Sequence, residues 1–486
     1  MISSQFQADP FGKNTSPGTP GQWYEGSLPP IENEKKSPVV FIHGLNSSSS
    51  IWWEENDMYA IAYAHGIKTA FIDLYPAKDM WENGELLTRK LKEIHQHFEE
   101  KLVVVAHSKG GIDTQAALVH FGAYRYVHRL IALSSPYQGA QLADLAYSTW
   151  AGWLAGIIGS KNEATYSLQT GYMKYFQEET DDHPYVLKTP IYTLAGKGWG
   201  TFGSPLYWGG VYLKSYGQND GAVTVESSRL RYSKELNVGD WNHFEIQQGS
   251  FIFEIIDEYL YKFDDRISDE IHIFEDNALL PADTFLRGGS YQGEAEEIFH
   301  VEGGVAQLGV NWMSDRRTST IIITAPDGKE TLLMNIADDA STLLKGSYYQ
   351  FLEIKNPIEG EWRVKASSER ENYLLTVQFD SPLNNEIKLG LENDLEVSLA
   401  SFATGIVEFK EIKSTIRTEY YENGRQISRQ VEWVDVKNSP SINLSALGEG
   451  VYNITVDVEG KTLNNHPFNR TIVTSVYVDA NGRLLK

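Results

Sequence analysis

The segment Leu102–Gly111, with the sequence Leu-Val-Val-Val-Ala-His-Ser-Lys-Gly-Gly, constrains the fold more than any other part of the chain. Its β-branched run is typical of a buried strand in a parallel sheet, and the small residues after it favour a sharp turn into a helix that begins near Gly110. The pattern Ala-x-Ser-x-Gly predicts that Ser108 lies at the apex of this turn, where its hydroxyl can serve as a nucleophile. The alternative is a serine that only caps the helix.

A second loop is predicted to lie beside Ser108. The short apolar strand Pro38–Ile42 runs directly into His43-Gly44-Leu45-Asn46. Such a loop can offer a backbone N–H group, here that of Leu45, to the oxyanion that forms in acyl transfer. The amide of Lys109, at the N-terminus of the helix after Ser108, is predicted to be the other donor. A simple glycine turn is the alternative for this loop.

Strands and helices alternate around these two loops. Apolar runs at Lys68–Leu74 and Arg129–Ser135 predict strands, and the apolar spacing over Asn83–Glu99 predicts a helix. Such alternation implies parallel strands joined by right-handed crossovers. Residues 38–263 are therefore predicted to form an α/β domain with helices on both faces of a mostly parallel sheet. Residues 1–37, rich in Pro, Gly, Ser and Asn, are expected to form an irregular lead-in.

A very apolar segment follows the Arg129–Ser135 strand. Between Ala146 and Gly159 it carries two tryptophans and several aliphatic residues, interrupted by glycine and alanine. A buried helix fits this composition, and so does a lid that exposes apolar surface toward a substrate. We expect a helical lid or cap over about residues 145–188.

The partners of Ser108 follow from elimination. A serine nucleophile needs a neutral imidazole and a carboxylate that orients it, and in such sheets the chain order is serine, acid, histidine. The histidines downstream of Ser108 in this domain are His120, His128, His183 and His243. Only His243 lies in a loop after a late strand. Asp220, in a glycine-flanked turn predicted to follow a strand end, lies far enough upstream to be the acid, whereas Asp240 is more typical of a turn residue.

Several motifs together resemble the secreted bacterial triacylglycerol lipases and related esterases. They are His43-Gly44-Leu45, Ala106–Gly111, Ser135-Pro136-x-x-Gly139, Gly217–Gly221 and Trp241-Asn242-His243. The resemblance covers about residues 38–262 and implies an α/β-hydrolase fold and ester hydrolysis through an acyl-enzyme. On the matching positions it implies a triad of Ser108, Asp220 and His243, with the amides of Leu45 and Lys109 as the oxyanion hole.

The resemblance also bears on metal content and location. Many relatives hold a structural calcium near the histidine, but Glu245 stands here in place of the family's Asp, and residues 196–201 offer no second carboxylate. We therefore expect no required cofactor and assign no metal ligands. The family is largely exported, whereas the N-terminal residues printed here carry no apolar signal core. The chain is expected to be secreted after removal of a signal, or else cytoplasmic.

The pattern changes from Asp264 onward. Short alternating segments replace helical periodicity, and Pro326-Asp327-Gly328 predicts a hairpin turn. Residues 264–385 are predicted to form a β-sandwich domain. Residues 386–486 are predicted to form an immunoglobulin-like one, because Gly450-Val451-Tyr452 opens a strand as in a tyrosine corner. A structural spacer and a module that binds a surface or polymer are equally compatible with these residues.

Charge and composition exclude several classes of partner. The net charge of −23 argues against binding nucleic acid, and the absence of cysteine excludes disulfides and thiolate sites. No run reaches the ~18 apolar residues of a membrane helix. The sequence therefore predicts a monomeric serine carboxylic-ester hydrolase acting on an ester or lipid substrate. The alternatives are a polyester hydrolase with polymer-binding β-modules, and a surface-binding protein with a degenerate hydrolase domain.

Overall fold

A computed structural model describes most of the chain. It covers residues 18–152, 162–262, 279–317, 319–333, 335–338, 347–391, 397–401, 412–435 and 447–485. The first part of the predicted lead-in and residues 153–161 of the predicted lid lie outside the described residues. So do residues 406–409, whose apolar pattern predicts a strand. No helix in the described part of the chain is both long and apolar enough to cross a membrane.

The first half is built on a seven-stranded sheet with the strand order β1-β3-β2-β4-β5-β6-β7. All strands run parallel except β1, which pairs antiparallel with β3. The bounds are β1 Trp23–Glu25, β2 Val39–Ile42, β3 Thr69–Ile72, β4 Leu102–His107, β5 Val127–Leu133, β6 Ile191–Gly196 and β7 Ser233–Gly239. The predicted lead-in is thus partly regular, because β1 extends the sheet at one edge.

Helices cover both faces of this sheet. They are α1 Met58–Ala64, α2 Met80–Phe98, α3 Lys109–Val119, α4 Gln141–Tyr147, α5 Glu163–Ser167, α6 Thr170–Asp181, α7 Pro205–Leu213 and α8 Gly249–Ile256. Short 3₁₀ segments occur at Ser49–Trp52, Ala123–Arg125, Lys214–Tyr216, Glu226–Ser228, Glu245–Gln247, Asp257–Leu260 and Pro382–Asn385. The strands alternate their side chains between two buried apolar clusters, one on each face. Helix α2 begins three residues before its predicted start, because the Asp79 carboxylate accepts from the Trp81 and Glu82 N–H groups.

The second half contains only strands and one 3₁₀ turn among its described residues. The strands are β8 Leu279–Pro281, β9 Thr284–Val301, β10 Gln307–Ser314, β11 Thr320–Thr324, β12 Glu330–Leu332, β13 Asn335–Asp338, β14 Tyr348–Lys355, β15 Gly360–Asp380, β16 Ile387–Leu391, β17 Val397–Ser401, β18 Lys413–Glu422, β19 Arg425–Asp435, β20 Gly450–Lys461, β21 Pro467–Val478 and β22 Leu484–Leu485. They form three antiparallel sheets. The predicted fold class, an α/β domain followed by all-β structure, is confirmed.

Two local predictions for this half agree with the structure. The turn at Pro326-Asp327-Gly328 joins the antiparallel strands β11 and β12, with Gly328 at a φ of 84°. The Tyr452 hydroxyl donates to the Gly448 carbonyl at 2.6 Å, which is the backward hydrogen bond of a tyrosine corner.

Strand pairing and core packing both cross the predicted division of this half at residue 386. Strand β8 pairs with β16, so one sheet takes strands from both predicted modules. One apolar cluster also combines Ala282, Leu383 and Ile387 with residues of β18, β20 and β21. The turn at 382–385 therefore runs through a shared core.

The two halves meet through side chains and not through shared sheets. In the described residues, no strand of β1–β7 pairs with a strand of β8–β22. Instead, α4 and α6 pack on β21, where the rings of Tyr175 and Tyr477 stack with centroids 4.3 Å apart. The buried Asp144 carboxylate accepts from Ser475 Oγ at 2.6 Å and from the Thr170 hydroxyl at 2.7 Å. Burial nevertheless raises the pKa of Asp144 to about 6.

Candidate active site

Ser108 occupies the sharp turn between β4 and α3. Its φ of 54° is a left-handed value that is uncommon outside glycine, and such strained geometry is characteristic of functional turns. The strand and the helix pass so close to the neighbouring loop that a Cβ on Gly110 would lie 2.5 Å from the His43 carbonyl oxygen. Only glycine fits at that position, as the sequence pattern predicts.

The three side chains assigned from the sequence form one hydrogen-bonded series. The Ser108 Oγ lies 3.2 Å from His243 Nε2, and His243 Nδ1 lies 2.7 Å from Asp220 Oδ2. All three residues are buried. Separations of this size are within the reach expected of a nucleophile, a base and the carboxylate that orients the base.

Asp220 is held in its charged form by the groups around it. Burial alone would raise the pKa of its carboxyl, but His243 and the N–H groups of Ala222 and Val223 lower it below its ordinary value. These two N–H groups donate to Oδ1 at 2.9 and 2.7 Å, which leaves Oδ2 for His243. The prediction that Asp220 follows a strand end is wrong. Asp220 follows α7 and the 3₁₀ turn Lys214–Tyr216, so the chain makes a helical excursion before reaching the site.

The loop that carries His243 follows β7. The His243 backbone N–H donates to the Asp220 carbonyl at 3.0 Å, and the His243 carbonyl oxygen lies 2.8 Å from His107 Nε2. Asp240, the rejected alternative for the acid, points to solvent and forms an ion pair with Lys197 at 3.3 Å. Sequence reasoning named His107 only as part of the elbow motif and missed its contact with His243.

The loop after β2 packs directly against Ser108. A Cβ on Gly44 would lie 2.8 Å from the Ser108 Cβ, so this peptide borders the nucleophile. His43 Nδ1 donates to the Gly44 carbonyl at 2.8 Å, and the Leu74 N–H donates to His43 Nε2 at 2.9 Å. Because the C=O and N–H of a trans peptide point in opposite directions, the bond from His43 turns the Leu45 N–H away from His43.

Lys109 begins α3 directly after Ser108. Its ammonium group is buried and pairs with Asp113 at 2.5 Å, one helical turn along. Burial raises the pKa of Asp113 to about 6, although Lys109 and the Asn83 amide oppose that effect. The side chain thus lies in the interior, and the backbone amide is the part of Lys109 that remains at the helix N-terminus.

An apolar cavity of about 70 Å³ adjoins Ser108 and His243. Helix α4 supplies four of its lining residues, and α7 and the loop after β2 supply one each. Its lining residues are Leu45, Ser108, Pro136, Ala140, Leu142, Ala143, Leu145, Ala146, Thr165, Leu168, Trp208, Ala222, Val223, His243 and Met313. Met313 belongs to β10, so the second half of the chain forms one wall. No local sequence signal marks Met313, because it reaches the site only through packing between the halves.

The two carboxylates near His243 both have partners within the protein. The Glu245 carboxylate accepts from the Asn242 N–H at 2.9 Å, and Asp240 is already paired with Lys197. Within the described ranges, no group of three or more His, Cys, Asp or Glu residues could hold a metal ion.

Comparison with known proteins places this geometry in a family. The chain is 42% identical to a Bacillus licheniformis lipase, BlEst2, solved in its propeptide form, covering 96% of this chain and 100% of that chain with a TM-score of 0.86. The mature form of BlEst2 is 53% identical over 50% of this chain and 100% of its own, with a TM-score of 0.49.

A curated relative is more distant. Triacylglycerol lipase 2 of Saccharomyces cerevisiae is 29% identical over 170 residues, which are 32% of this chain. The chain thus matches 52% of the length of that relative. No family model matches the chain. On the full-length similarity to the Bacillus lipase, the chain belongs to the lipases and esterases of the α/β-hydrolase fold and is a carboxylic-ester hydrolase.

Proposed function

We propose that this enzyme hydrolyses esters through an acyl-enzyme on Ser108, with His243 as the base and Asp220 as its orienting carboxylate. The observation that carries the proposal is the continuous hydrogen-bonded series from Ser108 Oγ through both nitrogens of His243 to Asp220 Oδ2. A serine hydroxyl is a weak nucleophile by itself, and an imidazole aligned in this way removes its proton as it attacks.

The proposed reaction proceeds in two halves. Ser108 Oγ bonds to the ester carbonyl carbon while its proton passes to His243 Nε2. The resulting oxyanion would be stabilised by the Leu45 and Lys109 amides. The bond from carbon to the leaving oxygen then breaks, and His243 returns the proton to that oxygen, releasing the alcohol. Water, deprotonated by the same imidazole, attacks the acyl-enzyme and releases the acid.

The substrate we propose is an ester with an unbranched apolar acyl group. The cavity beside Ser108 is lined mostly by apolar residues. Three alanines spaced three apart are among them: Ala140 at the N-cap of α4, and Ala143 and Ala146 within that helix. Small side chains at this spacing leave room for a hydrocarbon chain along the helix, and burying that chain is favourable by about 0.8 kcal/mol per CH₂. The relatives named above as lipases support a lipid ester. Export of the chain and its monomeric state stay predictions.

The acyl-enzyme is tested by covalent trapping. We expect a fluorophosphonate to add one equivalent to the full chain, and mass spectrometry of the digest to place the adduct on Ser108. A series of p-nitrophenyl esters from C2 to C16 then defines the preferred chain length. Turnover of these esters without any adduct on Ser108 would contradict the proposal. Activity restricted to suspended polyester would instead favour the polymer hydrolase.

We also propose that the second half of the chain restricts access to the site. Met313 of β10 lies in the cavity wall with Ser108 and His243, so the second half covers part of the cavity. The similar Bacillus lipase was solved in a form described as its propeptide form. A chain segment that packs over the site in the same polypeptide would limit hydrolysis until it moves or is removed.

A single glycine offers a way to test this restriction. Gly171 on α6 packs so closely on β21 that a Cβ there would lie 2.4 Å from the Val476 backbone. We expect Gly171→Leu to loosen the halves, because the new side chain cannot fit against β21. Easier access to the cavity should then raise kcat/KM for p-nitrophenyl esters about tenfold, equivalent to roughly 1.4 kcal/mol. Steady-state kinetics on the intact variant provides the measurement.

The control is Gly289→Leu, at a position in β9 where a Cβ meets nothing within 4 Å. We expect it to behave as the unchanged protein does. Limited proteolysis reports whether Gly171→Leu has separated the halves. If the halves loosen and kcat/KM stays constant, the second half does not restrict the site.

A further inference from the structure

His107 is the residue next to the nucleophile, yet the acyl-transfer steps do not use it. It ends β4, and its side chain is 4% exposed. Its ring lies against that of His243, with centroids 4.7 Å apart and planes inclined by 49°. A polar ring buried so close to the base needs either a partner or a role.

The partner of His107 fixes its protonated nitrogen. Its Nε2 lies 2.8 Å from the backbone carbonyl oxygen of His243. A carbonyl oxygen can only accept, so Nε2 carries the proton and donates. Burial, followed by the neighbouring His243, lowers the pKa of His107 to about 3, with Asp220 opposing and His43 adding to the effect. The imidazole therefore stays neutral at neutral pH and adds no positive charge beside the base.

This bond adds to the contacts that position His243. Asp220 holds it twice, through its backbone carbonyl at 3.0 Å and its carboxylate at 2.7 Å. Both contacts come from the turn that carries the acid. The bond from His107 is different, because it connects the loop that carries His243 to the end of β4, directly before Ser108.

The hydrogen bond from His107 to the His243 carbonyl matters because of where His107 lies in the chain. His107 and Ser108 are consecutive, so their relative position is set by a single peptide. A bond from His107 to the His243 backbone thus fixes the base relative to the nucleophile by a short path. The Ser108 Oγ to His243 Nε2 distance of 3.2 Å lies at the long end of hydrogen-bond reach, so little further displacement is tolerable.

We propose that His107 is a positioning residue, whose neutral Nε2–H holds the His243 carbonyl and keeps the base within reach of Ser108. The proposal rests on the triad proposed above. It acts through His243 alone, since His107 has no part in the proton transfer itself. Its loss would therefore slow the chemical steps more than it weakens substrate binding.

Two substitutions separate the hydrogen bond from the packing. His107→Phe keeps a ring of similar size and removes the donor. His107→Gln places an amide N–H₂ at the position of Nε2 and keeps the donor. We expect His107→Phe to lower kcat about tenfold with KM within about twofold, since one hydrogen bond to a catalytic loop contributes on that scale. We expect His107→Gln to recover kcat to within about threefold of the original.

A double variant distinguishes positioning from a general loss of structure. If His107 acts through the triad, His107→Phe should have no further effect in a Ser108→Ala background, because residues that act as one unit are not additive. An equal loss in both backgrounds, or failure of His107→Gln to recover kcat, would overturn the proposal. Thermal unfolding of each variant shows whether it folds.

The outcomes also separate this inference from the proposed function. Full activity of Ser108→Ala would rule out the proposed triad, and the positioning role of His107 would fall with it. An inactive Ser108→Ala together with an unimpaired His107→Phe would leave the triad standing and exclude the positioning role.

Discussion

Replacing Ser108 by alanine is expected to lower kcat for p-nitrophenyl esters by about 10⁴-fold or more. The substitution removes the atom that would bond to the acyl carbon, and it leaves His243 and Asp220 with no hydroxyl to activate. Loss of one member of such a triad costs nearly as much as loss of all three, because the residues act as a unit. Burst-phase and steady-state release of p-nitrophenol provide the measurement.

Two comparisons make this result specific. Ser290→Ala, the same chemical change at an exposed position of β9, should retain full activity. Circular dichroism should report the same fold for both variants, since each substitution removes a single oxygen atom. Retention of more than about a tenth of the activity by Ser108→Ala would exclude the acyl-enzyme on this residue.

The substitution Arg470→Met is expected to cost about 3–5 kcal/mol of unfolding free energy in the second half of the chain. Arg470 is fully buried on β21, forms an ion pair with the buried Glu302, and lies over the Phe379 ring at 3.6 Å. Removing the guanidinium leaves the carboxylate of Glu302 in the interior without its cation. A buried charge in that state is far more costly than the pair is favourable.

Denaturant titration followed by tryptophan fluorescence measures this effect. A double substitution, Arg470→Met with Glu302→Leu, should recover much of the loss, because it removes both charges. The exposed pair of Arg363 with Glu296 supplies the control, and Arg363→Met should hardly move the transition. If Arg470→Met and Arg363→Met unfold at the same denaturant concentration, the unpaired charge of Glu302 is not what lowers the free energy of unfolding.

Local sequence patterns predict the first half of this fold well. The run before Ser108 predicts a strand buried on both faces, and the glycine after it marks a close approach, which the structure shows to be to the His43 carbonyl. The order of serine, acid and histidine then suffices to select His243 and Asp220. Chain order is informative here because crossovers between parallel strands permit few arrangements.

Contacts between distant segments limit what the sequence reveals. The pairing of β8 with β16 joins segments about a hundred residues apart, and alternation alone does not state which strands are neighbours. Met313 shows the same limit at the site, since a methionine in an apolar strand is typical of any core. The predicted path to Asp220 is also wrong, because an apolar, glycine-rich stretch does not distinguish α7 from a loop.

The absence of shared strands between the halves, within the described residues, has a consequence for aggregation. Pulling apart two pieces of one sheet would uncover a row of unpaired N–H and C=O groups, which is a template for joining other chains. Among the described residues, separation of the halves uncovers side chains such as those of Tyr175 and Tyr477 and no new strand edge. We therefore expect that molecules whose halves have separated associate through exposed apolar surface. Detergent should disperse these aggregates, and they should not grow into cross-β fibrils.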